Sequence, residues 1–296
     1  YVGLSVLLIA LLFICGMPLF DSVVTSFSTL STGGFAIKNS SIGGYNNSLI
    51  ELLITLFMFI AGINFLLHYF LFTGRFSRVF RDSELKFYTG IVLTFIAIIC
   101  IDLWFNSYYG FWDALRFSSF QVVSIITTTG FSSVDFAHWP IYTVFLLFTL
   151  MFIGACAGST SGSIKVLRIL ILIKRSYREI NHLIKPRAVL PLRVNQKVLD
   201  DDIISSVTSF FLLYIFIFVL STIAILTFED ISILGAMSTT AASIGNIGPA
   251  FEELGPTHTY HFLSNYSKIW LCFLMLIGRL ELYTVLVIFT PMFWTK

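Results

Sequence analysis

The amino-acid sequence predicts an all-α polytopic membrane protein built from repeated units, each a spanning helix, a short re-entrant helix ending in a glycine loop, and a second spanning helix. Three observations carry that prediction. Of 296 residues, 57% are hydrophobic and only 11% charged, a balance far from that of a soluble domain. Apolar segments long enough for a hydrocarbon core of about 30 Å alternate with shorter ones that are not. The shorter ones end at related glycine-containing peptides, "STGGF" (31–35), "TTTGF" (127–131) and "GNIGP" (245–249), which marks an internal repeat.

In chain order, residues 1–15 read as part of a spanning helix, and 49–73, 87–106, 139–173, 203–227 and 266–293 as full spans. Between them lie short segments at about 19–31, 111–127 and 230–244, each with an aspartate near its start: Asp21, Asp113 and Asp230. A helix of about 14 residues rises only about 21 Å, so each must enter the membrane and turn back. The chain thus divides into repeats at 1–73, 87–173 and 203–296, joined by loops at 74–86 and 174–202. The start at Tyr1, without an initiator methionine or a signal-peptide pattern, is read as an amino-terminal truncation.

Charge sets the orientation. The loops "GRFSRVFRDSELK" (74–86) and "KRSYREINHLIKPRAVLPLRVNQK" (174–197) are strongly basic, which the positive-inside rule assigns to the cytoplasm. The short helices then dip in from the other side, beneath loops carrying Lys38, Asp135, Glu229, Glu252 and Glu253. A net charge of +2, with its basic residues clustered in those loops, excludes a nucleic-acid surface. The four cysteines lie in apolar segments without metal-ligand spacing and read as buried, reduced thiols.

Irregular backbone at membrane depth must be buried in protein or line a watery cavity. A dehydrated cation needs a ring of oxygens, and backbone carbonyls supply them where glycine lets the chain come close to the axis. The C-terminal ends of the short helices add partial negative charge. The candidate filter residues are therefore Thr32, Gly33 and Gly34, then Thr128, Thr129 and Gly130, then Asn246, Ile247 and Gly248, around a central ion pore.

These loops, together with "GACAGSTSGSIK" (154–165), "GRLELYTVLV" (278–287) and the linker "INHLIKPRAVLPLRVN" (180–195), resemble the Trk-type potassium uptake proteins of bacteria. They match the TrkH branch of the superfamily that also contains KtrB and the plant HKT transporters. The resemblance covers essentially the whole chain. It implies four repeats around one pore, of which this chain would hold the second to the fourth. It also implies K⁺ as the transported ion with no other cofactor, multi-pass residence in the bacterial inner membrane, a homodimer of pores, and a cytoplasmic nucleotide-binding regulatory subunit of TrkA type. A Na⁺-selective or Na⁺-coupled transporter of the same superfamily is the alternative. Channel-like passage and symport with H⁺ or Na⁺ both stay open.

Two further features lie below the filter. Gly154, Gly158, Ser159, Thr160, Ser161, Gly162 and Ser163 make a poor helix interior within the 139–173 span. A small-residue packing face is the competing reading; a phosphate loop is excluded, because Ser163 stands where a Walker lysine would be required. The resemblance implies a mobile gating loop. Arg279 sits in an apolar run where a charge is costly, and the resemblance implies a pore-facing electrostatic barrier, with an interhelical salt bridge as the rival. Asn64 and His68, one turn apart, are expected to hydrogen-bond between helices. "HTYH" (258–261) has metal-like spacing but no third ligand. No nucleophile–base grouping or cofactor fingerprint stands out, so a transporter is expected rather than an enzyme.

Overall fold

The computed structural model describes residues 1–186, 190–195 and 197–295. In the first repeat, α1 (Val2–Ile14) packs against the short helix α2 (Leu19–Leu30). Pro18 opens α2, its fixed φ suiting the entry to a helix. A polar excursion leads to α3 (Ser48–Ala61), which starts where the Asn47 side chain accepts from the Leu49 N–H at 3.0 Å. Helix α4 (Phe65–Phe72) follows, and α5 (Phe76–Phe80) forms one turn in the first basic loop.

The second repeat begins with the long apolar α6 (Ser83–Phe105), then the short α7 (Phe111–Ile126) packed between α6 and α3. Its remaining helices are α8 (Ile141–Met151) and α9 (Val166–Ile184). The third contains α10 (Asp201–Phe228), the short α11 (Ile233–Gly245), α12 (Asn265–Leu280), α13 (Leu282–Ile288) and the terminal turn α14 (Pro291–Trp294). One departure from an all-helical chain is a two-stranded antiparallel hairpin, β1 (Arg193–Val194) with β2 (Lys197–Val198), in the second basic loop.

Polarity is distributed as in a protein dissolved in lipid. Leu52, Leu93, Phe145, Phe216 and Ile269 are exposed, whereas the hydroxyls of α2, α7 and α11, among them Thr25, Ser118, Ser124, Ser238 and Thr239, are buried. Among the described residues two helices, α6 and α10, are singly long and apolar enough to cross a membrane. The other expected spans are broken. Residues 49–73 bend by 99° between α3 and α4, and 266–293 bend by 116° between α12 and α13. With the interruption between α8 and α9, the second helix of every repeat is discontinuous, whereas only the 139–173 break is visible in the sequence.

Particular residues mark the two bends. Gly62 closes α3 where no side chain fits, since a Cβ there would lie 2.5 Å from the Tyr88 hydroxyl and 3.0 Å from Ala155 and Thr127 side-chain carbons, and Asn64 caps α4 through the Leu66 N–H at 2.9 Å. Glu281 ends α12 with φ of 66°, outside the helical range. Asn64 is thus a helix cap, and His68 bonds the Ile60 carbonyl at 3.0 Å within its own bent helix pair, not a neighbouring helix. Among the cysteines, Cys100 and Cys156 are buried and Cys15 partly so, but Cys272 faces outward on the apolar surface of α12, contrary to expectation.

The two basic loops meet on one face, where the Asn195 side chain accepts from the Ser83 N–H and donates to Asp82, both at 2.7 Å. The opposite loops meet as well: the Ile42 N–H donates to the Ser132 carbonyl at 3.1 Å, and Thr257 donates to Asp135 at 3.0 Å. The two basic loops thus share one face, and the loops carrying Asp135 and Thr257 share another.

Candidate ion filter and the loop beneath it

The short helices α2, α7 and α11 end in the same way. Thr32, Thr128 and Asn246 have φ of 53°, 54° and 54°, and the residues two further on, Gly34, Gly130 and Gly248, have φ of 69°, 83° and 112°. Gly33, Thr129 and Ile247, between them, are outside the positive-φ region. Alternation in the sign of φ along a short run turns successive carbonyls toward one side, and it recurs in register in all three loops. Holding a threonine in the left-handed region costs about 1–2 kcal/mol. The helix-end bonds offset part of that: the Gly33, Thr129 and Ile247 N–H groups donate to the Ser28, Ser124 and Ala242 carbonyls at 2.8, 2.9 and 2.8 Å.

A serine about one or two turns back stabilises each loop as it leaves. Ser28 accepts from the Phe35 N–H at 2.6 Å, Ser124 donates to the Phe131 carbonyl at 2.7 Å, and Ser238 accepts from the Phe251 N–H at 3.0 Å. The loops also touch in sequence around a centre. A Cβ added to Gly34 would overlap the Thr129 carbonyl, and one added to Gly130 would overlap the Ile247 carbonyl. Around Gly248 a Cβ would meet nothing within 4 Å, so the arc of three loops is open on that side.

All the sequence-predicted loop residues from 154 to 163 lie directly beneath this arc. The segment leaves α8 at Met151 and joins α9 at Val166, with Ile153 and Ile164 bridged in parallel. It reaches the end of each short helix: the Gly162 N–H donates to Thr128 Oγ1 at 2.6 Å, Thr160 Oγ1 donates to the Leu30 carbonyl at 3.1 Å, and Gly162 lies too close to the Gly245 carbonyl for any side chain. The broken helices serve the same segment. The Cys156 N–H donates to the Gly62 carbonyl at 3.0 Å and the Phe65 N–H to the Gly158 carbonyl at 3.2 Å, using backbone groups that the α3–α4 break sets free.

Arg279, in the last turn of α12, donates from Nη1 to the Thr160 carbonyl at 3.0 Å. Glu281, two residues on, pairs with Arg168 at 3.0 Å instead, as the break in the helix allows. The rival reading of Arg279 as one half of an interhelical salt bridge is not what is seen: among the described residues its bond is to the loop backbone, and the ion pair belongs to Glu281. These groups surround a cavity of about 340 Å³ lined by residues 158–163, Lys165, Arg168, Tyr214 and Arg279. Three cations against the one carboxylate of Glu281 make it electropositive.

Three participants are missed by sequence reasoning. Lys165 Nζ donates to the Ser161 carbonyl and to Ser161 Oγ. Glu84 reads as one charge in a basic loop, but it is buried and accepts from the Ala157 N–H. Tyr260, the central tyrosine of the "HTYH" stretch, donates from its hydroxyl to the Gly248 carbonyl at 2.9 Å. The available signals were the position of Glu84 at the start of an apolar span and that of Lys165 at the end of the 154–165 stretch; nothing in the sequence ties Tyr260 to Gly248.

The fold and this arrangement are those of a polytopic membrane protein made of repeated helix units. The sequence profile of the TrkH family, described as cation transport protein, matches residues 1–296. The chain belongs to that family. It is 37% identical over 305 residues to the Trk system potassium uptake protein TrkH of Salmonella typhimurium, covering 100% of this chain and 61% of the relative. It is 39% identical over 282 residues to the protein of the same name from Halomonas elongata, covering 95% and 58%. The crystal structure of the potassium transporter TrkH from Vibrio parahaemolyticus superimposes with a TM-score of 0.92 at 34% identity, covering 99% of this chain and 63% of that one. The chain therefore spans about three fifths of the length of these relatives. They are transport proteins, in agreement with the expectation of a transporter rather than an enzyme.

Proposed function

We propose that the chain forms most of the pore of a potassium uptake system, with a carbonyl filter at 32–34, 128–130 and 246–248 and a gate at 154–163. The observation that carries this reading is the in-register alternation of φ in three loops whose glycines pack on one another's carbonyls. A K⁺ ion entering from the outer face exchanges water for these carbonyls, helped by the negative ends of α2, α7 and α11. The open side at Gly248 accommodates a fourth loop, which closes the ring in the complete pore.

Below the filter the ion meets residues 158–163 and the positive charge of Arg279. In this reading the segment, held by its bonds to Thr128, Leu30 and Arg279, blocks the path. Opening requires the Thr128, Leu30 and Arg279 bonds to the segment to break, so the segment acts as the gate and Arg279 as both its latch and an electrostatic barrier. The proposal includes residence in the bacterial inner membrane, a homodimer, and a TrkA-type nucleotide-binding subunit acting on the basic cytoplasmic face; family membership supports these parts.

The test is radioactive Rb⁺ uptake into proteoliposomes, using the chain completed from a full-length relative beside the chain alone. Rb⁺ uptake by the completed protein, displaced by K⁺ far better than by Na⁺, supports the reading. Preferential displacement by Na⁺ overturns the assignment to K⁺, and no saturable uptake by a folded protein overturns the pore.

A further inference from the structure

The three candidate filter glycines differ in one respect: Gly248 alone has a side-chain donor on its carbonyl. The Tyr260 hydroxyl donates to it at 2.9 Å, whereas among the described residues no side chain donates to the carbonyls of Gly34 or Gly130. Tyr260 reaches this carbonyl from outside the filter helix. It begins a 3₁₀ turn, Tyr260–Phe262, in the outer loop between α11 and α12, and its ring packs with the main apolar core. The loop that holds Gly248 differs from the other two in its chemistry. Ile247 replaces the threonine or glycine found at that place, Pro249 follows, and the Asn246 side chain is drawn off to the Met275 carbonyl at 3.2 Å.

We infer that Tyr260 is a selectivity-positioning residue, its hydroxyl fixing the direction and occupying part of the charge of the Gly248 carbonyl. The inference rests on the filter reading above. Two pictures of selectivity lead to the same sign. If the filter discriminates by cavity size, releasing the carbonyl lets it close around the smaller Na⁺. If it discriminates by the field strength of its oxygens, removing the hydroxyl returns lone-pair density to the carbonyl, which again favours Na⁺. Loss of one neutral hydrogen bond corresponds to about a two- to tenfold change in such a ratio.

The experiment compares competition by K⁺ and Na⁺ against Rb⁺ uptake for wild type, Tyr260→Phe and Gly130→Ser, all in the completed chain. Tyr260→Phe keeps the ring and its packing and removes only the donor, so a purely structural role leaves the ratio alone. The expected result is K⁺ over Na⁺ preference reduced about two- to tenfold in Tyr260→Phe and more strongly in Gly130→Ser. An unchanged ratio in Tyr260→Phe, with Gly130→Ser impaired, overturns the role of Tyr260 and leaves the filter standing. Unchanged ratios in both overturn the filter reading as well. Where Tyr260→Phe yields too little protein for flux, the K⁺ and Na⁺ concentrations giving half-maximal thermal stabilisation in detergent read the same ratio.

Discussion

Replacing Arg279 by alanine should convert a closed pore into one that opens readily. The guanidinium donates to the Thr160 carbonyl at 3.0 Å, at the centre of the segment that also bonds Thr128 and Leu30. A hydrogen bond from a charged donor contributes about 1.5–3 kcal/mol, and the exposed position of Arg279 on its cavity argues for the lower end, because solvent competes for both partners. About 1.5–2 kcal/mol corresponds to roughly a 10- to 30-fold rise in the ratio of open to closed pores. Removing the positive charge also raises local cation occupancy, which acts in the same direction. The assay is initial Rb⁺ uptake by the completed chain in proteoliposomes, normalised to folded protein, with Arg279→Lys retaining part of the latch. Flux that is unchanged or lower in a folded Arg279→Ala protein would refute the latch, whatever the filter does.

Four further outcomes follow from the same contacts. Deleting Gly158 to Gly162 should raise basal flux, measured in the same way; reduced flux from a folded protein counts against a gate there. Gly130→Ala places a Cβ on the Ile247 carbonyl at a φ of 83°, so it should cost about 1–2 kcal/mol in backbone strain alone and lower the melting temperature; an unshifted melting temperature would contradict the close approach of the loops. Glu84→Gln weakens the acceptor for the Ala157 N–H and should speed amide exchange at Ala157 about tenfold or more, read by hydrogen-exchange mass spectrometry; equal exchange would remove Glu84 from the loop's support. On the outer face, burial and the neighbouring Glu253 hold the Glu252 carboxyl above its usual range. The folded form then binds that proton more tightly than the unfolded chain, so stability falls as pH rises from the ordinary glutamate range through the raised pKa of the folded state. Glu252→Gln should flatten that slope in melting curves, and an identical slope in the variant would assign the pH dependence elsewhere.

The glycine loops at 31–35, 127–131 and 245–249 were legible because their chemistry is local and repeated. Glycine after threonine at the end of a short apolar helix serves a left-handed turn, and the same pattern at 31–35 and 127–131 could be aligned by eye with 245–249. Residues 154–165 were legible for the same reason, since three glycines and four hydroxyl residues cannot be mistaken for a helix interior. The breaks after Ala61 and Leu280 were hidden. Gly62 and Asn64 sit in a run whose hydropathy satisfies a spanning helix, and Glu281 adopts a positive φ without a glycine to announce it. Both bends point backbone or charged groups at the segment from 154 to 163, so their cause is a tertiary partner far along the chain. Glu84 was read as a cytoplasmic charge for the same reason, because the amide that it accepts is 73 residues away. Tyr260 carries no local signal at all; its hydroxyl matters only because the fold brings Gly248 within 2.9 Å.

The most direct measurement is anomalous X-ray scattering from crystals of the completed chain grown in Rb⁺. A carbonyl filter predicts Rb⁺ peaks on the axis among Thr32 to Gly34, Thr128 to Gly130 and Asn246 to Gly248, within coordination distance of their backbone oxygens and displaced by K⁺ but not by equal Na⁺. Peaks confined to the outer acidic loops, with none between the three glycine turns, would contradict the assignment of these residues to the ion path.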